Sequence, residues 1–201
     1  RGWEIISASH FYSEILIDHL RHSYIRFLKA ASLMEALDLT ATEIAYLAAD
    51  TDYQIGGKGW LNHLPVMDNP NTVTAEALKN AFNMLIDFSS IKANVSPDDE
   101  RLLEILKQPV SATANMDSLL YELMQWDKPS LDKLLSHFGL SASNIANVQV
   151  LRRIYYAYRW VKIMGIPAVS LIEITTNEPT SNMVHDLHSA LRARYDNDSW
   201  L

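Results

Sequence analysis

The chain has 201 residues, 48% of them hydrophobic, no cysteine, and a formal net charge of −7. That leaves material for one domain or two small ones with an ordinary core. It excludes disulfides, thiol chemistry and Cys-based zinc sites, and it speaks against a main surface built for nucleic acid or an anionic membrane, where affinity rests on clustered Lys and Arg.

Helix signals dominate from the start. No Gly or Pro interrupts residues 10–38. Tyr12, Leu16, Leu20, Tyr24, Phe27, Ala31, Met34 and Leu37 recur at helical spacing, with Glu14, Asp18, Arg21, His22 and Lys29 mostly opposite. A continuous helix here would be roughly 40 Å long at about 1.5 Å per residue; two helices bent near Ala30–Ser32 are the alternative. Thr40-Ala41-Thr42-Glu43 is a capping box, and its helix should reach about Asp50. Gly56-Gly57-Lys58-Gly59, with Pro65 and Pro70, marks an irregular segment over 52–73 and reads as a flexible surface loop. Helical spacing resumes over 75–91. Ser96-Pro97-Asp98-Asp99-Glu100 reads as a helix start, with cap, proline and acids in the first turn, and that helix should end before Pro109. Another is expected over 115–126, and Pro129 opens one that stops at Phe138-Gly139.

The strongest helix follows, about Asn147 to Met164. Leu151, Tyr155, Tyr158 and Val161 share one face. Gly165 stands where a left-handed residue ends a helix, and Pro167 cannot continue it. A short helix over 168–175 comes next. Pro179 and the N-cap Thr180 restart the chain for a last helix ending near Arg194. Alternating apolar runs bounded by turn residues are missing, so the expected class is all-α. The organisation is a long helix with its hairpin partner (1–51), the Gly/Pro loop (52–73) and helical hairpins (74–201) in one continuous all-α piece. A weak echo links Leu37-Asp38-Leu39-Thr40, Phe138-Gly139-Leu140-Ser141 and Met164-Gly165-Ile166-Pro167. It reads either as one helix-turn-helix corner used three times or as convergence of tight hairpins.

Candidate chemistry is sparse. His19 with His22, and His185 with His188, each share a helical face, but zinc needs three or four ligands and no His-Glu-x-x-His is present. The Gly56–Trp60 run lacks the Ser or Thr and the preceding strand of a phosphate loop. Asp98-Asp99-Glu100 could hold a cation, yet capping already accounts for it. No nucleophile elbow and no catalytic carboxylate pair can be picked out, so no cofactor and no metal are expected. Tyr156 and Trp160 lie one turn apart, off the main seam, and are a possible interface. No stretch offers the roughly 20 mostly apolar residues of a spanning helix: the helix over 147–164 carries Arg152, Arg153, Arg159 and Lys162. The chain opens without a basic-then-apolar leader and stops after Trp200-Leu201, as expected of an internal fragment of a longer protein.

Several spaced motifs carry a resemblance. They are Leu151-Arg152-Arg153-Ile154-Tyr155, the run Val161 to Ala168, Pro179-Thr180, and Ala190 to Leu201 with its Arg194-Tyr195-Asp196 turn. In this order the last third of the chain resembles the A component of the bacterial insecticidal toxin complexes, the Tc toxins. Leu39 to Leu47 and Leu64-Pro65 are similar too, while residues 67–134 match faintly. The resemblance implies a piece of the helical outer shell of a secreted or cell-surface virulence protein. That parent would be a homopentamer that binds a host cell-surface receptor, engages the B and C components, and passes a toxic enzyme through a central channel. The residues carried over are structural: Gly165, Pro167, Arg194, Tyr195 and Asp196. None is catalytic. Two other classes remain open, a stand-alone helical adaptor binding a protein partner through Tyr156 and Trp160, and a small metal-dependent enzyme using His185 and His188.

Overall fold

The computed structural model describes residues 2–67, 70–175 and 178–194. Among them are ten α-helices and no strand, which makes the chain all-α: α1 (Gly2–Leu37), α2 (Ala41–Ala49), α3 (Thr72–Val95), α4 (Arg101–Lys107), α5 (Pro109–Ala112), α6 (Leu119–Met124), α7 (Lys128–His137), α8 (Val148–Met164), α9 (Ala168–Ile174) and α10 (Ser181–Arg194). Short 3-10 turns cover Thr51–Tyr53, Trp60–His63 and Ala142–Ala146. The chain divides into two compact units, Arg1–Ser89 and Ser90–Leu201.

In the first unit α1 is one uninterrupted helix. Only the C-terminal part of the face that the apolar spacing picks out is covered. Leu16, Leu20, Tyr24 and Phe27 are 61–65% exposed, whereas Ala31, Met34 and Leu37 of the same stripe are half-buried, as are His22, Ile25, Arg26, Ala30 and Leu33 beside it. Two cations beside the stripe tie the helix to the irregular segment. Arg26 Nε donates to the carbonyl of Leu64 (3.3 Å) and Lys29 Nζ to that of Pro65 (2.6 Å). The helix thus meets the irregular segment through long basic side chains whose heads satisfy carbonyls.

The capping box at Thr40 is formed. Glu43 N donates to Thr40 Oγ1 (3.2 Å) and Thr40 N to Glu43 Oε2 (2.8 Å). The Gly-rich run is a tight turn, not a flexible loop. Gly56 and Gly57 take φ of 57° and 75°, and Ile55 and Lys58 exchange two backbone bonds of 2.8 and 3.1 Å. Two consecutive positive φ values are the demand of a type I′ turn, which glycine meets without steric cost. The turn delivers Trp60, fully buried, whose Nε1 donates to Leu47 O (3.3 Å) and whose ring meets Phe82 edge-on at 6.0 Å. Helix α3 begins earlier than its spacing suggests, because Asn71 Oδ1 caps Thr74 N at 2.8 Å, and it runs on to Val95.

In the second unit α4 starts at Arg101, not at Ser96. The Asp99 carboxylate takes both the amide (3.0 Å) and the Nε (2.7 Å) of Arg101, so Asp99 organises a turn before the helix begins. Ser96 is buried, and its hydroxyl has no hydrogen-bond partner among the described residues. The helix expected over 115–126 is reduced to α6, because Gln125 adopts a left-handed conformation (φ 52°). Asp127 then caps α7, accepting from Ser130 N at 2.8 Å, with Pro129 in the first turn. Asn147 caps α8 through Oδ1, with Gln149 N at 2.9 Å and Val150 N at 3.3 Å. Leu102, Leu103, Ile105, Leu120, Leu131, Ile145, Leu151 and Ile154 are fully buried and form the apolar interior that these short helices share.

The three echoed corners share their backbone geometry. Asp38, Gly139 and Gly165 all have positive φ, at 52°, 65° and 68°. Leu39 N reaches back to Met34 O (2.9 Å) and Leu140 N to Leu135 O (2.8 Å), while Gly165 N donates to Val161 O (2.9 Å). The first two are Schellman closures and the third is the simpler left-handed cap. The apolar residue after each stop turns inward: Leu39 and Ile166 are buried and Leu140 is half-buried.

Candidate functional site

Helix α8 is where the sequence candidates gather. Its 17 residues carry Arg152, Arg153, Arg159 and Lys162 and no carboxylate, in a chain whose net charge is −7. Amphipathic spacing gives it two faces. Val148, Leu151, Ile154, Tyr158 and Val161 are buried. On the opposite side Tyr156 is 37% exposed, Trp160 59% and Ile163 43%.

The inner face is pinned by a polar contact that the sequence does not reveal. The Tyr158 ring stacks on Trp126 at 5.0 Å and 27°. Its hydroxyl donates to Asp127 Oδ1 and accepts from the Asp127 amide at 2.8 Å. Burial and the hydrogen bond to the Asp127 carboxylate push the Tyr158 phenol up to about 12. Burial acts to raise Asp127 as well, but the hydrogen bonds from Tyr158 and Ser130 outweigh it and hold the carboxyl below its ordinary value. The pairing joins residues 31 positions apart, and nothing in local spacing marks it. The one available cue is Trp126-Asp127 standing immediately before a proline-containing helix start.

Beside this contact lies a cleft of about 390 Å³, bordered by Asn94, Gln125, Tyr155, Arg159 and Lys162. Lys162 Nζ donates to the carbonyl of Met124 (3.3 Å) at the end of α6, where a cation complements the negative end of the helix dipole. Burial raises the Tyr155 phenol.

On the outer face Arg152 lies over the Tyr156 ring at 5.4 Å, and Arg153 over Phe138 at 4.0 Å. Tyr156 meets Tyr155 edge-on at 5.5 Å. Gly165 ends the helix, and Pro167 supplies the extended residue before α9 (φ −59°, ψ 149°). Arg194 is the last residue of α10, far along the chain from α8; Tyr195 and Asp196 lie outside the described residues. The histidine pairs are not joined by other ligands: no three His, Cys, Asp or Glu side chains gather to hold a metal ion among the described residues. No helix there is long and apolar enough to cross a membrane.

Comparison with protein-family models, with curated proteins and with solved structures finds no match to this chain.

Proposed function

We propose that the chain is a structural segment of the A component of a Tc toxin, a piece of its helical shell that performs no catalysis itself. The observation that carries the reading is the order of spaced motifs over residues 136–201, whose central Gly165 has the left-handed conformation (φ 68°) that this order requires of it. Helix corners closed by left-handed residues are what a scaffold of stacked helical hairpins is made from. In this reading the parent is a secreted or cell-surface homopentamer that binds a host receptor and the B and C components, and the segment stays outside the bilayer while other sequence forms the channel.

The test is the complete parent reading frame, expressed and imaged by electron microscopy. A five-fold particle with a central channel and these helices in its outer wall is the expected result. A product that is a small monomer overturns the proposal. The exposure of Tyr156 and Trp160 favours a second reading, a helical adaptor for a protein partner, and a small monomer that binds through those two residues would establish it.

A further inference from the structure

The cleft of about 390 Å³ lies wholly within the second unit, and its size is that of a small-molecule site, about 300–1,000 Å³. Its border selects a kind of occupant. Arg159 and Lys162 stand three residues apart on α8, which makes them neighbours on one helix face. Like charges at that spacing repel, and an anion held by both relieves the repulsion. No Asp or Glu borders the cleft among the described residues. Asp127, next in sequence to Trp126, has its carboxylate engaged by the Tyr158 hydroxyl and by Ser130 N.

Hydrogen-bonding capacity at the border points the same way. Arg159, the Tyr155 hydroxyl and the Gln125 side-chain amide form no hydrogen bond among the described residues. A guanidinium and an ammonium only donate, whereas the hydroxyl and the amide do both, so donors outnumber acceptors. The Arg159 fork matches a carboxylate or a phosphate through two parallel bonds, and Lys162 adds a point charge. Gln125 holds φ at 52°, a conformation in which glycine is the unstrained residue. Strain of this kind gathers at ligand sites, and here it places an amide at the border. Half-buried Tyr155, Val95 and Leu123 supply the apolar part of the lining.

We propose that this cleft binds a small organic anion, a carboxylate or phosphate monoester carried on a planar apolar body. Arg159 and Lys162 take the anionic group, and Gln125 and Tyr155 fix its orientation. The site belongs to the second unit and does not depend on the chain being a shell segment.

The experiment titrates the folded chain with benzoate, phenyl phosphate and inorganic phosphate. Binding is read by calorimetry and by the NMR signal of the Trp126 indole N–H, which borders the cleft. At least one of the two organic anions should saturate with a Kd below about 1 mM, with inorganic phosphate at least tenfold weaker; the better of the two identifies the anionic group. Arg159→Gln should weaken binding at least tenfold, and Arg159→Lys should weaken it less. Arg159 is exposed, so both variants should keep the wild-type circular dichroism and melting curve. Arg153→Gln removes the same charge from α8 at the Phe138 contact and should leave binding unchanged. The proposal is overturned if neither organic anion binds at about 10 mM, if binding survives Arg159→Gln, or if Arg153→Gln weakens it equally. Inorganic phosphate binding as tightly as the organic anions also overturns it. So does Arg159-dependent binding to vesicles of anionic lipid without binding of the free anions, which would assign the cleft to a lipid headgroup.

Discussion

Tyr158→Phe removes one oxygen atom and tests how much of the second unit is held by a polar contact. The ring remains, so its stacking on Trp126 at 5.0 Å should persist. What is lost is the hydroxyl that donates to the Asp127 carboxylate and accepts its amide. A hydrogen bond to a charged partner contributes about 1.5–3 kcal/mol. Asp127 is itself exposed, so water can replace part of the contact, and a loss of about 2 kcal/mol is expected. At 2–4 °C per kcal/mol for a chain of this size, the melting temperature should drop by about 4–8 °C. The pH dependence is more diagnostic. The Tyr158 phenol is raised from 10.0 to about 12 in the folded state. Its contribution is therefore complete below pH 10 and disappears as pH rises through about 12. Asp127 is lowered from 3.8, so its contribution is complete above that value and disappears as pH falls through the depressed one. The difference in stability between wild type and Tyr158→Phe, from urea unfolding followed by tryptophan fluorescence, should be constant across neutral pH and shrink at both extremes. A difference below about 0.5 kcal/mol, or one that does not shrink in alkali, would refute the reasoning.

Gly165→Val should cost roughly 1–2 kcal/mol for placing a Cβ in the left-handed region, read as a lower melting temperature; an unchanged one would show that the α8 corner relaxes without strain. Gly59→Ala tests a different constraint, because φ there is an ordinary −55° but a Cβ would stand 2.6 Å from the Ala48 carbonyl oxygen. Overpacking of this kind typically costs about 1–3 kcal/mol, and Trp60 fluorescence should report the displaced turn. Gln125→Gly relieves a left-handed non-glycine residue; the gain of about 1–2 kcal/mol exceeds the roughly 0.5–1 kcal/mol entropic cost of glycine, so slight stabilisation is expected and destabilisation would refute the strain. The isolated chain should release no dye from liposomes at acidic, neutral or alkaline pH, since no described helix is long and apolar enough to span; discrete channel currents would contradict this.

Helix stops were more readable than helix faces. Gly165 and Gly139 announce left-handed corners because the demand is local, a matter of one residue's φ. Asp38 occupies the same conformation without glycine's signature, and only its echo of the other two corners hints at it. The same locality explains the capping box at Thr40. The start at Ser96 misleads because a second local device, the Asp99 carboxylate on Arg101, competes with it three residues later. The face of α1 is readable only in part, for the opposite reason. Periodicity marks one stripe, of which Ala31, Met34 and Leu37 are half-buried while Leu16, Leu20, Tyr24 and Phe27 are exposed; the contacts of Arg26 and Lys29 with carbonyls more than thirty residues away belong to tertiary structure and leave no periodic mark.

Helix α8 shows how the same limits bear on the candidate site. Its buried seam is legible except for Tyr155, which the spacing places beside Tyr158 and Val161 but which is only half-buried, at the edge of the cleft. That Tyr156 and Trp160 lie off the seam follows from spacing, and their exposure follows from it. Their meaning does not, because an aromatic pair off the seam serves a neighbour within the unit as well as a partner outside it. The cations of α8 show how much of its polar surface is spoken for. Arg153 is turned onto Phe138 and Lys162 onto the carbonyl of Met124, so each has a structural task. Arg159 forms no ion pair among the described residues. It borders the cleft, where its positive charge opposes the burial that raises the Tyr155 phenol, so its nearest described task is inside the second unit.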